Sequence, residues 1–143
     1  MKTIMPKQLK NEERKWYLID ANWQNLWRLS TKVATILKWK EKPDFSPHLD
    51  NWDYVVIINA DKIATTWNKL DWKVYYSHTG FLWGLKEITL GKLLTKKPTE
   101  VLKKSVSGML PKNRLRKEML SRLKLTTWDQ HTFAAQKPEQ INL

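Results

Sequence analysis

Basic side chains are crowded into one stretch of the chain, residues 92–124. This stretch holds eleven lysine and arginine residues and two acidic ones, Glu100 and Glu118, so it carries +9 of the net charge of +12. Ammonium and guanidinium groups bind phosphate oxygens. A single helix with a solvated charged face would also be basic, but this much charge over this length favours a nucleic-acid-binding face.

The three histidines and the absence of cysteine give little support for a metal site. His48, His78 and His131 are far apart, and each lies beside a predicted turn or strand end. Their spacing leaves a zinc site open, but it lacks the close His and Glu pairing of a helical metalloenzyme. Backbone-bonding or RNA-facing roles are favoured. The chain has no cysteine, which excludes disulfides, thiolate metal ligands and a cysteine nucleophile.

No catalytic arrangement of carboxylates stands out. Asp50, Asp53 and Asp61 are interpreted as turn and cap residues, because aspartate side chains close turns and cap helices. The turn at residues 20–28 follows a predicted strand, where nucleotide-binding folds place glycine-rich phosphate loops. It contains no glycine and matches no phosphate-binding motif. A nucleotide-dependent α/β enzyme therefore remains only as an alternative.

The elements that must position the basic residues alternate between strands and helices. Short apolar runs predict strands at residues 16–20, 54–59 and 73–78. Apolar residues at helical spacing predict helices from residue 26, from Pro98 at a first helical turn, and over about 113–123. Two prolines predict a loop at residues 40–48. This order predicts an α/β layered domain with a mainly parallel sheet.

Length and hydropathy favour a single soluble domain. The 143 residues suit one core, and no apolar run approaches the length of a membrane-spanning helix or a secretory signal. We expect a cytoplasmic protein of one domain, residues 1–143, with surface extensions at about 1–14 and 136–143. No cofactor, small-molecule substrate or membrane contact is expected.

Seven strings of the sequence together resemble one protein family. They are WYLIDA at 16–21, KPDFSPH at 42–48, DYVVIINADK at 53–62, KVYY at 73–76, HTG at 78–80, GMLPKN at 108–113 and AAQKP at 134–138. In this order, across nearly the whole chain, they resemble the bacterial large-subunit ribosomal protein L13 family. The resemblance implies a three-layer α/β/α domain around a four-stranded parallel sheet, with no catalytic activity.

The resemblance also implies partners. They are large-subunit ribosomal RNA and neighbouring large-subunit proteins, bound in the cytoplasm during early subunit assembly, a role within translation. A free RNA-binding regulator of translation is the alternative. The predicted RNA contacts are Arg28, Lys38, Lys40, Lys42, His48, His78, Lys112, Arg114, Arg116, Lys117, Arg122 and Lys124.

Tryptophan is the main departure from the family pattern. The chain has nine tryptophans and four glycines. Trp16 matches a family tryptophan and Trp72 falls at a variable position. In addition, Phe133 stands where the family usually has a histidine, and Arg116 stands where it commonly has a glycine. The family has glycine at the positions of Trp23, Trp27, Trp39, Trp52, Trp67, Trp83 and Trp128.

We interpret these tryptophans as misread glycines. Glycine tolerates positive φ in turns, whereas ordinary divergence would replace it with several small residues rather than repeatedly with the largest one. The hypothesis is that these codons are UGA, read as glycine in the source organism. The alternative is a lineage that tolerates tryptophan on RNA-facing loops.

Overall fold

A parallel sheet of four short strands forms the centre of the fold. The computed structural model describes residues 9–10, 13–43, 45–46 and 48–141. In chain order the elements are β1 (Trp16–Asp20), α1 (Leu26–Leu37), β2 (Tyr54–Ile58), α2 (Lys69–Trp72), β3 (Val74–His78), β4 (Leu85–Thr89), α3 (Leu90–Lys96), α4 (Pro98–Met109), α5 (Arg116–Ser121), β5 (Leu123–Leu125) and β6 (Glu139–Gln140). The sheet order is β5-β2-β1-β6, with every neighbouring pair parallel. The predicted α/β class and four-stranded parallel sheet are confirmed.

The central strand β2 is buried on both faces of the sheet. Val55, Val56 and Ile57 are fully buried, and successive residues of a strand point to opposite faces. Such β-branched runs are typical of parallel strands covered on both sides, which fits a three-layer α/β/α arrangement. At the start of the strand, Tyr54 lies opposite Trp16, and the two rings stack with centroids 4.2 Å apart.

Helix α1 begins at a side-chain cap and buries one face. The Asn25 side chain accepts a hydrogen bond from the Trp27 backbone N–H at 3.1 Å, as expected for an N-cap residue. Leu26, Leu29 and Val33 are buried, and the helix packs against α4. The predicted helix from residue 26 is confirmed.

The strand predicted at residues 73–78 forms, but outside the parallel sheet. It is β3, and it pairs with β4 as a separate antiparallel hairpin in which Tyr75 lies opposite Ile88. Several apolar side chains near the turn of this hairpin are exposed, among them Phe81 and Leu82.

The second half supplies three helices and the edge strand β5. The helix starting at Pro98 is confirmed as α4. The helix predicted over about 113–123 is shorter, since α5 ends at Ser121 and Leu123 opens β5. The reason is sheet pairing: Val55 donates to the Arg122 carbonyl at 3.2 Å, and β5 runs beside β2.

Both ends of the chain contact the body where they are described. Of the predicted extension at 1–14, residues 1–8 and 11–12 lie outside the described residues. The Leu9 N–H donates to Asn51 Oδ1 at 2.8 Å. In the other extension, 136–143, strand β6 pairs with β1, while residues 142 and 143 are outside the described part. No helix in the described part is long and apolar enough to cross a membrane.

Four tryptophans have a left-handed backbone. Their φ angles are 56° at Trp23, 59° at Trp39, 60° at Trp67 and 59° at Trp83. For a residue with a Cβ atom this conformation costs about 1–2 kcal/mol, whereas glycine adopts it freely. The prediction that these sites call for glycine is therefore supported at four positions by the backbone itself.

The other tryptophans at family glycine positions lack this left-handed backbone. Trp27 lies in the first turn of α1, Trp52 is buried beside β2, and Trp128 is exposed after β5. None of the three has a positive φ angle. Turn geometry therefore does not account for a glycine at these three positions.

Candidate nucleic-acid interface

An open groove separates α4 from α5 and is bordered by five cations. Two adjoining depressions of about 590 and 470 Å³ form it. We define the α4–α5 groove by six lining residues: Lys103, Lys104, Ser107, Arg114, Arg116 and Lys117. Three of them, Arg114, Arg116 and Lys117, were predicted as RNA contacts, and the structure brings them together on one side of the groove.

The burial of α4 determines which of its residues line the groove. Val101, Leu102 and Val106 are buried in the core. The helical period then turns Lys103 and Lys104 outward, and both are exposed. They were counted in the basic stretch but not predicted as contacts. The spacing of the buried residues, read together with the lysines, was the signal that could have found them.

Short-range contacts hold α5 in place opposite α4. Its Met119 side chain is buried, and the Asn113 side chain accepts a hydrogen bond from the Arg116 backbone N–H at 3.1 Å. This contact closes the turn before the helix. Arg114 and Lys117 are exposed as a result, and Arg116 is half-buried along the wall of the groove.

The cations of the groove have few partners in the described part of the chain, although the Lys104 ammonium group lies over the Tyr75 ring, 5.1 Å from its centre. Within the described part of the chain, none of the five forms an ion pair with a carboxylate. Glu100 also borders the groove, but its carboxylate pairs with Lys97 at 3.5 Å. The groove is thus a concentration of unpaired positive charge, which attracts polyanions.

Arg122 differs from the other predicted contacts because its guanidinium is buried. Both terminal nitrogens donate to the two carboxylate oxygens of Asp50. Burial acts to lower the pKa of Arg122, but the hydrogen bond to Asp50 and the charge of that carboxylate raise it above the ordinary value. The same carboxylate also pairs with Arg14 at 3.4 Å. Asp50 therefore ties the loop before β2 to the segment between α5 and β5.

A second group of predicted contacts follows α1. Lys40 and His48 are exposed and Lys38 is half-buried, with Lys38 and Lys40 lining one cleft. The His48 ring nitrogen Nδ1 shares a hydrogen bond with the Ser46 hydroxyl at 3.0 Å. Lys42 is engaged, since its ammonium group pairs with the buried Asp53 carboxylate.

The remaining predicted contacts do not line the α4–α5 groove. Arg28 is exposed on α1, Lys112 is exposed on the connection from α4 to α5, and Lys124 is half-buried on β5. His78 lies in the hairpin, where its Nδ1 accepts a hydrogen bond from the Gly80 backbone N–H at 2.9 Å.

The residues considered for other chemistry have structural partners. Asp20, at the turn considered as a nucleotide site, accepts hydrogen bonds from the Asn59 amide and the Asn22 backbone N–H, each at 2.9 Å. Among the described histidines, aspartates and glutamates, no group of three or more is arranged to hold a metal ion. Asp50 and Asp53 were predicted as turn residues, and both also serve as partners for buried or half-buried cations.

Comparison with known proteins gives matches over nearly the whole chain. The family model for ribosomal protein L13 matches residues 14–132. The large ribosomal subunit protein uL13 of Clostridioides difficile (strain 630) is 52% identical over 130 residues, 91% of each chain. The uL13 protein of Geobacter sp. (strain M21) is 50% identical over 143 residues, 100% of both chains.

A third match comes from Idiomarina loihiensis, whose uL13 protein is 45% identical over the full length of both chains. These matches are to ribosomal proteins rather than to enzymes, so the prediction that the chain is not an enzyme is confirmed. The resemblance read from the seven sequence strings is confirmed as well. The chain belongs to the ribosomal protein L13 family.

Proposed function

We propose that this chain is a structural component of the large ribosomal subunit that binds large-subunit ribosomal RNA through the α4–α5 groove. The binding supports early assembly of the subunit. Two lines of support meet here. Relatives of near-equal length are named as large ribosomal subunit proteins, and the chain presents a basic groove of its own.

The observation that carries the proposal is the convergence of five cations without carboxylate partners. Lys103 and Lys104 line the groove from α4, and Arg114, Arg116 and Lys117 line it from α5 and the turn before that helix. Each phosphate that a cation neutralises releases counterions from the RNA, and this release supplies most of the salt-dependent affinity. Binding of RNA should therefore weaken steeply as salt is raised.

The groove is suited to the RNA backbone more than to base pairs. It is wide and open, and its cations stand on two helices rather than in one narrow slot. The base edges of an A-form helix are hidden in a deep groove, so proteins recognise folded RNA by shape and by its phosphates. The second group, Lys38, Lys40 and His48, would extend the contact along the surface.

The proposal covers the whole chain as one domain, residues 1–143, acting in the cytoplasm. Neighbouring large-subunit proteins are its expected protein partners. A rigid body suits this role: β2 is buried on both faces, and Asp50 fastens the loop before it to the end of α5. A rigid body presents its cations to phosphates without first ordering its backbone, so that only the side chains lose freedom on binding.

A salt titration tests the proposal. The full chain is titrated with large-subunit ribosomal RNA of Clostridioides difficile at several salt concentrations. We expect a steep linear fall of log affinity with log salt. The double variant Lys103→Ala/Arg116→Ala should lower the magnitude of the slope by about 0.7–0.9 for each phosphate that the variant no longer neutralises.

The matched control removes two exposed lysines elsewhere. Lys86 on β4 and Lys92 on α3 are both exposed and lie outside the groove. Lys86→Ala/Lys92→Ala makes the same change in net charge and should leave the slope within error of the parent. Equal slopes for the two double variants would refute the groove as the binding site, and a weak slope for the parent would refute RNA binding itself.

A further inference from the structure

A smaller cleft opens beside the α4–α5 groove. It lies between the end of α1, the loop after it and the connection from α4 to α5, and its volume is about 250 Å³. Its walls are apolar, formed by Phe45, Pro111 and Met119. Lys38, Lys40 and Asn113 supply its polar lining. The cleft thus combines apolar walls with positive charge.

Phe45 is the aromatic side chain that a ligand can reach. It is 46% exposed, whereas Met119, on another wall, is 3% exposed. A half-exposed phenylalanine offers a flat apolar face to a second flat ring. Stacking of an aromatic side chain on a base is a common way to bind unpaired nucleotides.

The cleft adjoins the α4–α5 groove. Asn113 lines both. Its side-chain carbonyl accepts a hydrogen bond from the Arg116 backbone N–H, which leaves its amide group as a donor. An RNA strand with phosphates in the groove would therefore pass directly by the mouth of the cleft.

We infer that this cleft receives one unpaired base of the bound RNA, which stacks on Phe45 while Lys38 and Lys40 hold the flanking phosphates. This inference rests on the proposed RNA-binding function and adds a site to it. An unpaired nucleotide has the chemistry that the cleft offers: a flat apolar ring, polar edges and a phosphate on each side.

Size and charge both favour a base over other occupants. Sites that enclose a complete small-molecule ligand usually measure about 300–1,000 Å³, and this open cleft is smaller. An apolar segment of another protein would carry no negative charge to match the two lysines in the lining. Trp52 also borders the cleft, but its side chain is only 1% exposed. A glycine there would enlarge the cleft, and Phe45 and the two lysines would then be the features that favour a base.

The test uses the full chain and the same ribosomal RNA as above. Phe45→Ala should weaken binding about 5- to 150-fold, the effect of removing the stacking of one base. The salt slope should stay unchanged because no charge is removed. Phe45→Tyr keeps a stacking ring and should bind like the parent. Phe81→Ala is the matched control, since Phe81 is 78% exposed on the hairpin, away from the cleft.

Chemical probing of base edges in the same complexes gives an independent readout. At least one unpaired base protected by the parent should become reactive again with Phe45→Ala and stay protected with Phe81→Ala. If Phe45→Ala binds like the parent with an unchanged protection pattern, the base site is refuted while a steep parental slope still supports RNA binding. If the parent shows no steep slope, the proposed function fails, and the base site with it.

Discussion

Tryptophan side chains stand at four points where the backbone is left-handed. The end of α1 shows the conflict most clearly. The Trp39 N–H donates to the Ile36 carbonyl at 2.8 Å and the Lys40 N–H to the Thr35 carbonyl at 3.2 Å, the bond pattern of a Schellman motif. Glycine is the usual residue at the position that Trp39 occupies. Here an indole fills it, and its buried N–H has no hydrogen-bond partner in the described structure.

Backbone strain predicts that replacement by glycine stabilises the protein at Trp67 and destabilises it at Trp72. Trp67 has φ of 60° and is 90% exposed, so Trp67→Gly should remove strain without creating a cavity. We expect the free energy of unfolding of the recombinant chain to rise by about 1 kcal/mol. Denaturant unfolding measures the difference.

Trp72 provides the matched control for that measurement. It is 79% exposed at the end of α2 and has no positive φ angle. Trp72→Gly should lower the free energy of unfolding by about 0.5–1 kcal/mol, because glycine weakens a helix. If both substitutions shift stability in the same direction, the argument from backbone strain is wrong.

The same residues bear on the hypothesis of misread UGA codons. Left-handed angles at Trp23, Trp39, Trp67 and Trp83 favour glycine on physical grounds alone. For Trp27, Trp52 and Trp128 the hypothesis rests on the family pattern. Peptide masses of the native protein distinguish glycine from tryptophan at each position, and tryptophan masses throughout would refute it.

Residue type and spacing were sufficient to predict part of the candidate site. The density of basic residues predicted the region of Arg114, Arg116 and Lys117. It could not separate Arg122 from them, because the ion pair with Asp50 joins residues 72 positions apart. Nor did it single out Lys103, whose orientation depends on which face of α4 is buried.

At the scale of elements, one carboxylate links three parts of the chain. Asp50 stands in the loop before β2 and contacts Arg122 after α5 and Arg14 before β1. Both arginine side chains are buried, at 6% and 7% exposed. Removing Asp50 would leave the buried Arg122 guanidinium without its carboxylate, and an unpaired buried charge is strongly destabilising.

We therefore expect Asp50→Ala to lower the free energy of unfolding by about 2–4 kcal/mol, slightly less than for a completely buried pair. Denaturant unfolding again gives the value. The control is Glu41→Ala, which breaks a surface pair with Lys32 and should cost less than about 1 kcal/mol. Equal effects of the two substitutions would show that Asp50 does not fasten these elements together.

The elements with a strong local pattern were predictable, and those that depend on distant partners were not. The strands β1 and β2 and the helices α1 and α4 carry continuous apolar runs or helical spacing. β5 has three residues and β6 two, too few to show a period, and each exists because it pairs with β2 or β1. The length of α5 was overestimated for the same reason.

On the scale of the whole molecule, the groove and the hairpin present surfaces of different character. The α4–α5 groove carries cations without carboxylate partners in the described part of the chain, while the hairpin of β3 and β4 carries exposed apolar side chains near its turn. The parallel sheet joins the two halves of the chain, since β2 and β5 come from opposite halves and pair in register. The two helices that border the groove therefore pack on the same core as the sheet.

The central claim is that the α4–α5 groove lies against large-subunit ribosomal RNA. The chain has no cysteine, so a single engineered thiol can carry an iron chelate that cleaves nearby RNA without background labelling. Ser121 is exposed and borders the groove, which makes Ser121→Cys the site for the chelate. In complexes with the ribosomal RNA we expect cleavage at a few clustered nucleotides, above the level of the cysteine-free parent. Cleavage no greater than that of the parent would contradict the account.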